Sequence, residues 1–106
     1  MTVPRVGELT LTEPLSFWGG IDPLTGRIID ASHPQVGESI TGKVLRMPYS
    51  RGSSSSPSVL AESLRLGTGP LEIVLGRPDP MVVLGALVAR LLYGIECRVT
   101  VEQSID

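Results

Sequence analysis

The sequence is poor in the residues from which metal sites, disulfides and many catalytic sites are built. Its 106 residues include one cysteine, Cys97, and one histidine, His33. A single cysteine cannot form an internal disulfide, and this chain alone cannot ligate zinc or an iron–sulfur cluster through cysteines. Such cysteine usage is typical of a reducing compartment. We therefore expect a cytoplasmic protein that holds no metal itself and in which Cys97 is a buried apolar residue.

Basic and aromatic residues are also scarce. Aromatic residues make up 4% of the chain and the formal net charge is −2, with no run of Lys and Arg. Nucleic-acid binding relies on base stacking and on phosphate neutralisation, so we expect no nucleic-acid partner. Charged residues of both signs make up only 19% of the chain, which suggests that part of its surface is covered by a partner.

The apolar segments are too short to cross a membrane. The longest, residues 80–92, is well below the length needed to span a bilayer. The N-terminus lacks the apolar core of a signal peptide. We therefore expect no membrane partner.

The hydrophobic pattern predicts one α/β domain, residues 1–106, with strands first and alternating helices and strands after them. Residues 15–26 are rich in glycine and proline yet contain the only Trp and the only Phe, which indicates an ordered loop. The predicted strands cover residues 5–11, 27–30, 42–48, 71–75 and 97–101.

Two helices are predicted from their end signals. Ser56 is placed as N-cap and Pro57 at the first helical position, and Gly67 ends this helix. Asp79 and Pro80 repeat the starting signal and open a second helix that runs to about residue 92. Because the second helix is apolar nearly all round, we expect it to be buried on more than one face.

The serine loop, residues 51–58 with the sequence Arg-Gly-Ser-Ser-Ser-Ser-Pro-Ser, carries the most chemistry in the chain. The free N–H groups and dipole of the helix start favour negative charge, and Arg51 adds a fixed positive charge. The loop could bind a carboxylate or phosphate, or one serine could lose its proton and act as a general base. Ser53 is best placed for the second role, because Gly52 lets the backbone approach a substrate closely. Serine-rich turns that only cap a helix are common, so a structural cap is the alternative.

The loop of residues 15–26 has two interpretations. It is either a hydrophobic plug that closes an open end of a small β-structure, or a wall of a substrate site. In the second case Gly19 and Gly20 would give close backbone access to the substrate.

Several segments together resemble the small subunit, or swivel domain, of the aconitase X family of hydro-lyases. The resemblance runs from about residue 5 to about residue 101, and its motifs are specific in combination. They are PLSFWGGIDPLTG at 14–26, HP at 33–34, GKVL at 42–45, RGSSSSPSVLAE at 51–62 and LGALVA at 84–89.

This resemblance implies a swivelling β/β/α domain with a small mixed β-barrel-like core flanked by helices. Such a domain docks on a large catalytic subunit to form a heterodimer, and the large subunit carries iron or an iron–sulfur cluster. The family's serine base lies in the Gly-Ser-Ser motif, which places the role on Ser53. The expected substrate-binding residues around it are Arg51, Gly52, Ser54, Gly19 and Gly20.

Members of this family differ in substrate. Some dehydrate cis-3-hydroxy-L-proline, and others act on (R)-5-phosphomevalonate. The four-serine run and the Leu-Ala-Glu that follows resemble the first group, so we expect that hydroxy acid and keep phosphomevalonate as the alternative. Pro57 departs from this pattern, because it stands where a further serine is expected.

A non-catalytic binding or carrier module is the alternative from another class, since swivelling domains often serve that way. A carrier needs a phosphorylatable histidine or an attachment lysine in an exposed loop, and His33 and Lys43 are the candidates. A single histidine directly before a proline is more often a hydrogen-bonding loop residue.

Overall fold

The computed structural model describes residues 7–51 and 54–102, which form six strands and three helices. The strands are β1 (Glu8–Thr10), β2 (Ile21–Asp22), β3 (Arg27–Ile28), β4 (Val44–Met47), β5 (Glu72–Leu75) and β6 (Arg98–Val101). The helices are α1 (Phe17–Gly20), α2 (Ser56–Leu66) and α3 (Pro80–Tyr93).

Four parallel strands form the main sheet, in the order β1–β4–β5–β6, and β2 and β3 form a separate antiparallel ribbon. Parallel neighbours require a crossover, and α2 and α3 supply it between β4, β5 and β6. The predicted mixed α/β class is confirmed, and its β-structure is this sheet with the ribbon beside it. Because the four strands are parallel, their carboxyl ends and the loops that follow lie at one end of the sheet.

The sheet presents an apolar row to the core. Leu9, Leu45, Ile73 and Val99 lie side by side in register on the four strands. The first three are at most 6% exposed, and Val99 packs against the same core. Alternate residues of each strand point to opposite faces, so the residues between them form the other, more polar face.

The strands are shorter than the sequence predicts. The predicted strand 27–30 ends at Ile28, because the Asp30 carbonyl already accepts the N–H of His33 and the chain turns there. The predicted strand 5–11 is Glu8–Thr10, and its first two residues lie outside the described part of the chain. The ordered loop predicted at 15–26 is confirmed, since it contains α1 and β2.

Helix α2 begins one residue earlier than predicted. Its N-cap is Ser55, not Ser56, and Pro57 is therefore the second helical residue. The prediction was wrong because the backbone of Ser55 is already in the right-handed helical region, with φ −92° and ψ −9°. The helical turn therefore starts before Ser56. The end is as predicted, because Gly67 has φ +80° and its N–H donates to the Leu64 carbonyl at 3.2 Å.

Helix α3 starts as predicted but is not buried as predicted. The Asp79 carboxylate accepts the Met81 N–H at 2.8 Å, which is the expected N-cap. Only one face is buried, through Val82, Gly85, Ala86 and Ala89. The expectation of burial on more than one face is wrong for this chain, because α2 and the sheet cover only that face. Met81 and Val88 are half-buried, and six other apolar side chains of the helix are exposed: Val83, Leu84, Leu87, Leu91, Leu92 and Tyr93.

The two long helices approach each other closely at Gly85. A Cβ atom added there would lie 3.0 Å from the Pro57 carbonyl oxygen and 3.1 Å from the Leu60 Cβ. Any other residue at this position would require Pro57 or Leu60 to shift by a few tenths of an ångström. Helix α3 therefore supports the first turn of α2, which is the last part of the serine loop.

Candidate active site

The candidate site lies at the carboxyl end of the parallel sheet, where open α/β sheets usually bind their ligands. The loop of residues 48–55 follows β4 and leads into α2. The loop of residues 76–79 follows the neighbouring β5 and leads into α3, and residues 11–16 follow β1 on the other side. Three adjacent strands thus deliver their loops to one place.

The Leu15 carbonyl fixes where the serine loop begins. It accepts hydrogen bonds from the Arg51 N–H at 3.1 Å and from the Ser50 hydroxyl at 3.3 Å. Ser50 is 8% exposed and Leu15 is 1% exposed, so this anchor is protected from water. The Arg51 side chain is exposed and continues from the anchor toward solvent.

The predicted serine-loop residues are only partly described. Gly52 and Ser53 lie outside the described residues. Ser54 and Ser55 are exposed, whereas Ser56 is 1% exposed and belongs to the interior. The catalytic role of Ser53 and the substrate-binding roles of its neighbours stay predictions.

The segment around α1 combines features of both interpretations. Phe17 is fully buried, as expected of a plug. Trp18 is 58% exposed, and Gly19 has φ +79° with open space where a Cβ would be. Gly20 is buried, and an added Cβ would lie 3.0 Å from Leu15 Cδ1. Gly19 therefore has a surface that a ligand could reach and Gly20 supports packing, while substrate contact by either glycine stays a prediction.

The His33 ring connects its own turn to the segment after β1 through two hydrogen bonds. Its Nδ1 accepts the Gln35 N–H at 3.0 Å, so Nε2 carries the proton and donates to the Glu13 carbonyl at 3.1 Å. His33 is 4% exposed. Its interpretation as a hydrogen-bonding loop residue is confirmed. A ring that is buried and bonded at both nitrogens is poorly suited to carry a phosphoryl group, which disfavours the carrier alternative at this residue.

Asp30 contributes an exposed carboxylate to the turn before His33. Its Oδ1 accepts the Ser32 hydroxyl at 2.6 Å and the Ser32 N–H at 2.9 Å. These two hydrogen bonds are the main reason that the pKa of Asp30 is lowered. The carboxylate therefore serves to hold its own turn.

The loops after β4 and β5 also touch. A Cβ atom on Gly76 would lie 2.5 Å from the Pro48 carbonyl oxygen, so only glycine allows the two backbones this close. The next residue, Arg77, lies over the ring of Tyr49. The position of the serine loop is thus supported from both neighbouring strands.

Metal chemistry does not fit this part of the chain. Residues 7–51 and 54–102 contain no group of three or more His, Cys, Asp or Glu side chains that could hold a metal ion. Cys97 is buried in the core, and this burial raises the pKa of its thiol to about 12. A cysteine binds a metal ion as the thiolate, and a thiol with such a high pKa is hard to deprotonate.

No helix in these ranges is both long and apolar enough to cross a membrane.

Two supporting residues were missed from the sequence. Ser50 gave a usable signal, because a hydroxyl shortly after a strand and directly before Arg51 is placed to anchor the loop. Gln35 gave none: its Nε2 donates to the Thr10 carbonyl at 3.0 Å and its Oε1 accepts the Thr12 N–H at 2.9 Å. Such bridging depends on residues far apart in the chain.

A parallel α/β domain with a serine-rich loop at the carboxyl end of its sheet has a direct match among known families. The family model of the aconitase X swivel domain matches residues 5–105. The chain belongs to the aconitase X swivel-domain family.

Relatives with two different substrates are about equally similar to the chain. Over 80 residues it is 45% identical to the cis-3-hydroxy-L-proline dehydratase of Pseudomonas aeruginosa, covering 76% of this chain and 14% of that enzyme. Over 81 residues it is 44% identical to the phosphomevalonate dehydratase small subunit of Methanothermobacter thermautotrophicus, covering 76% of this chain and 62% of that subunit. The chain thus spans less than two thirds of either relative, and sequence identity does not separate their substrates.

A solved structure shows the same fold. The crystal structure of Thermococcus kodakaraensis aconitase X in its holo-form superposes with a TM-score of 0.76 at 34% sequence identity. The superposition covers 86% of this chain and 67% of that chain.

Proposed function

We propose that this chain is the small subunit of an aconitase X-type dehydratase, a hydro-lyase that is active only with a large catalytic subunit. One observation carries the proposal: the serine loop is anchored at the carboxyl end of the parallel sheet and leads directly into α2, in a chain that matches the family over residues 5–105. The relatives described above are named as dehydratases.

The contribution of this chain to the reaction is proton removal. Dehydration takes a proton from one carbon and hydroxide from its neighbour, and a double bond forms between them. We propose that the alkoxide of Ser53 accepts this proton from carbon and becomes a neutral hydroxyl. The positive end of the α2 dipole and the charge of Arg51 reduce the cost of that alkoxide.

The hydroxide must be released by groups outside the described residues. These residues do not fit a metal, so the iron or iron–sulfur cluster expected in such an enzyme is assigned to the large subunit. Docking of the large subunit on the exposed Ser54, Ser55 and Trp18 would also exclude water from the site.

We assign cis-3-hydroxy-L-proline as the substrate. The four-serine run and the Leu-Ala-Glu after it support this assignment, because they resemble the hydroxyproline group. The described loops of the site carry Arg51 and Arg77, and one of them could pair with the substrate carboxylate. A phosphorylated substrate needs more positive charge, and here the large subunit would have to supply it.

The decisive experiment is co-expression of this chain with its large subunit, followed by assays of both substrates on one preparation. We expect dehydration of cis-3-hydroxy-L-proline by the complex and no turnover by either chain alone. Turnover of (R)-5-phosphomevalonate instead would overturn the substrate assignment and leave the enzyme class intact.

The base is tested with Ser53→Ala in the same complex. We expect turnover to fall by about 10²–10⁴-fold, as is usual when a general base is lost. Ser58→Ala is the matched control, because Ser58 is an exposed serine within α2 and should retain full activity. Full activity of Ser53→Ala would remove the base assignment.

A further inference from the structure

Within the described part of the chain, strand β6 has a neighbouring strand on only one side of its backbone. It is the last strand in the order β1–β4–β5–β6, and no described strand lies beyond it. The Glu102 N–H donates to the Leu75 carbonyl at 2.8 Å, so Glu102, Thr100 and Arg98 direct their backbone groups toward β5. Because alternate residues point to opposite sides of a strand, Val99 and Val101 direct their N–H and C=O groups outward. Such an edge is ready to pair with another strand.

An apolar groove of about 450 Å³ runs along this edge, between β6 and α3. Val83, Leu84 and Leu87 line it from the helix, and Val99 and Val101 line it from the strand. Leu84, Leu87 and Val101 are each 44% exposed. The groove and the open backbone edge therefore form one continuous surface.

The other face of the same edge carries alternating charges. Arg46 Nη1 lies 2.9 Å from Glu102 Oε1, and Arg46 Nε lies 3.6 Å from Glu8 Oε2. Arg98 and Glu102 share this face, with Thr100 midway between them, and Arg98 is exposed. Among the described residues, no salt bridge is formed by Arg98.

We propose that β6 is a homodimer interface, in which two copies pair their β6 strands antiparallel around a two-fold axis at Thr100. This register places Val99 opposite Val101 of the second copy, with their outward N–H and C=O groups facing each other. Arg98 then lies opposite Glu102 of the second copy, and the alternating charges continue across the axis. The apolar groove of each copy is covered by the other, and the sheet becomes eight-stranded.

Charge complementarity selects this register over its neighbours. A two-fold axis at Val99 would bring Glu96 opposite Glu102 of the second copy. An axis at Arg98 would bring the two Arg98 side chains together. Like charges opposite each other on paired strands are destabilising. Only the axis at Thr100 gives two Arg–Glu pairs and two Val–Val pairs.

The proposed interface meets the candidate active site at the loop after β5, because Pro78 and Asp79 also line the groove, but it does not include the serine loop. Pairing along β6 extends the sheet sideways, whereas the serine loop lies at the carboxyl ends of the strands. A large subunit could therefore bind each serine loop of the dimer. The dimer proposal does not depend on the proposed dehydratase function.

The first test is the solution mass of the full chain, measured by light scattering over a range of concentrations. We expect twice the chain mass. Arg98→Glu should raise the dimer dissociation constant by about tenfold, since both cross-strand pairs become repulsive. The double variant Arg98→Glu/Glu102→Arg should restore dimer formation. A monomer at every concentration, or failure of the double variant to restore the dimer, would overturn the proposal.

The second test reads the register. Thr100→Cys should form a disulfide-linked dimer on mild oxidation, because residue 100 lies opposite itself at the axis. Arg98→Cys is the matched control and should not crosslink, because its symmetry mate is about 14 Å away, four residues along the paired strands. Wild type, with its buried Cys97, reports the background. Efficient crosslinking through Arg98→Cys instead would refute the register.

The third test distinguishes this interface from non-specific association through exposed apolar side chains. Leu87→Lys places a charge in the groove and should abolish the dimer, whereas Leu92→Lys lies outside the groove on the same helix and should leave it intact. The Thr100→Cys chain is also co-expressed with the large subunit. A disulfide to the large subunit in place of the homodimer would show that another chain occupies this edge and would overturn the proposal.

Discussion

The guanidinium of Arg77 lies 3.9 Å from the centroid of the Tyr49 ring. Tyr49 directly precedes Ser50 in the loop after β4, and Arg77 lies in the loop after β5. A cation above an aromatic face is attracted by the ring quadrupole. This contact therefore joins two of the three loops that form the candidate site.

The ring of Tyr49 should matter more than its hydroxyl. Tyr49→Leu removes the aromatic face and should lower the free energy of unfolding by about 0.5–1 kcal/mol. Tyr49→Phe keeps the face and should stay close to wild type. Urea denaturation followed by circular dichroism measures both. Equal destabilisation by the two variants would show that the hydroxyl, not the cation–π contact, supports the loop.

Because its ring makes two hydrogen bonds, His33 should be the position of its turn at which substitution lowers stability most. His33→Ala leaves the Gln35 N–H and the Glu13 carbonyl without their partner, and should lower the free energy of unfolding by about 2–3 kcal/mol. Val36→Ala, an exposed change in the same loop, should cost less than about 0.5 kcal/mol. A near-neutral His33→Ala in thermal and urea unfolding would contradict the proposed role of the ring as a link between two segments.

The Cys97 thiol should react slowly in the folded chain. Burial raises its pKa to about 12, so at pH 8 its thiolate fraction is about a thousandfold lower than that of a free thiol. Alkylation by iodoacetamide, followed by mass spectrometry, should be correspondingly slow and should become fast in denaturant. Rapid labelling of the folded chain would show that Cys97 is accessible.

The raised pKa of Cys97 also determines how the stability of the fold changes with pH. The folded state favours the neutral thiol, so its contribution to stability is complete below the pKa of the unfolded thiol, near 9. It is lost as the pH rises from there toward about 12. Replacement by alanine should remove this part of the alkaline decline in stability, as measured by urea denaturation at several pH values.

The close helix approach at Gly85 should not tolerate a larger residue. Gly85→Val pushes against the Pro57 carbonyl and Leu60, and should lower the free energy of unfolding by about 1–3 kcal/mol. Leu91→Val introduces the same residue at an exposed position of the same helix, outside the groove, and should cost only a few tenths of a kcal/mol. Similar losses for both variants would show that valine itself disturbs α3, and that the close packing against α2 is not the cause.

Sequence signals predicted the elements well where the cause is local. Gly67 ends α2 through its own backbone, and Asp79 caps α3 through a residue two positions away. The predicted start of α2 was wrong by one residue, because the turn at Ser55 depends on how the preceding loop is anchored. Strand order was beyond prediction, since β1 pairs with β4 across more than thirty residues.

The candidate site was predicted in its residues but not in its supports. The serine loop is visible as a run of one residue type, whereas its anchor joins Leu15 to Ser50 and Arg51 across thirty-five residues. The burial of α3 was mispredicted for a related reason. An apolar pattern indicates that a helix face needs cover, but not whether the cover comes from the same chain.

The Leu15 anchor has a consequence for protein engineering. The serine loop is attached through a main-chain oxygen, which every residue type at position 15 would provide. Residues 51–55 can therefore be exchanged as a cassette with the matching segment of a relative that has a different substrate. The segment around α1 and the sheet would keep their sequences, and the transplanted loop would start at the same hydrogen bond to Leu15.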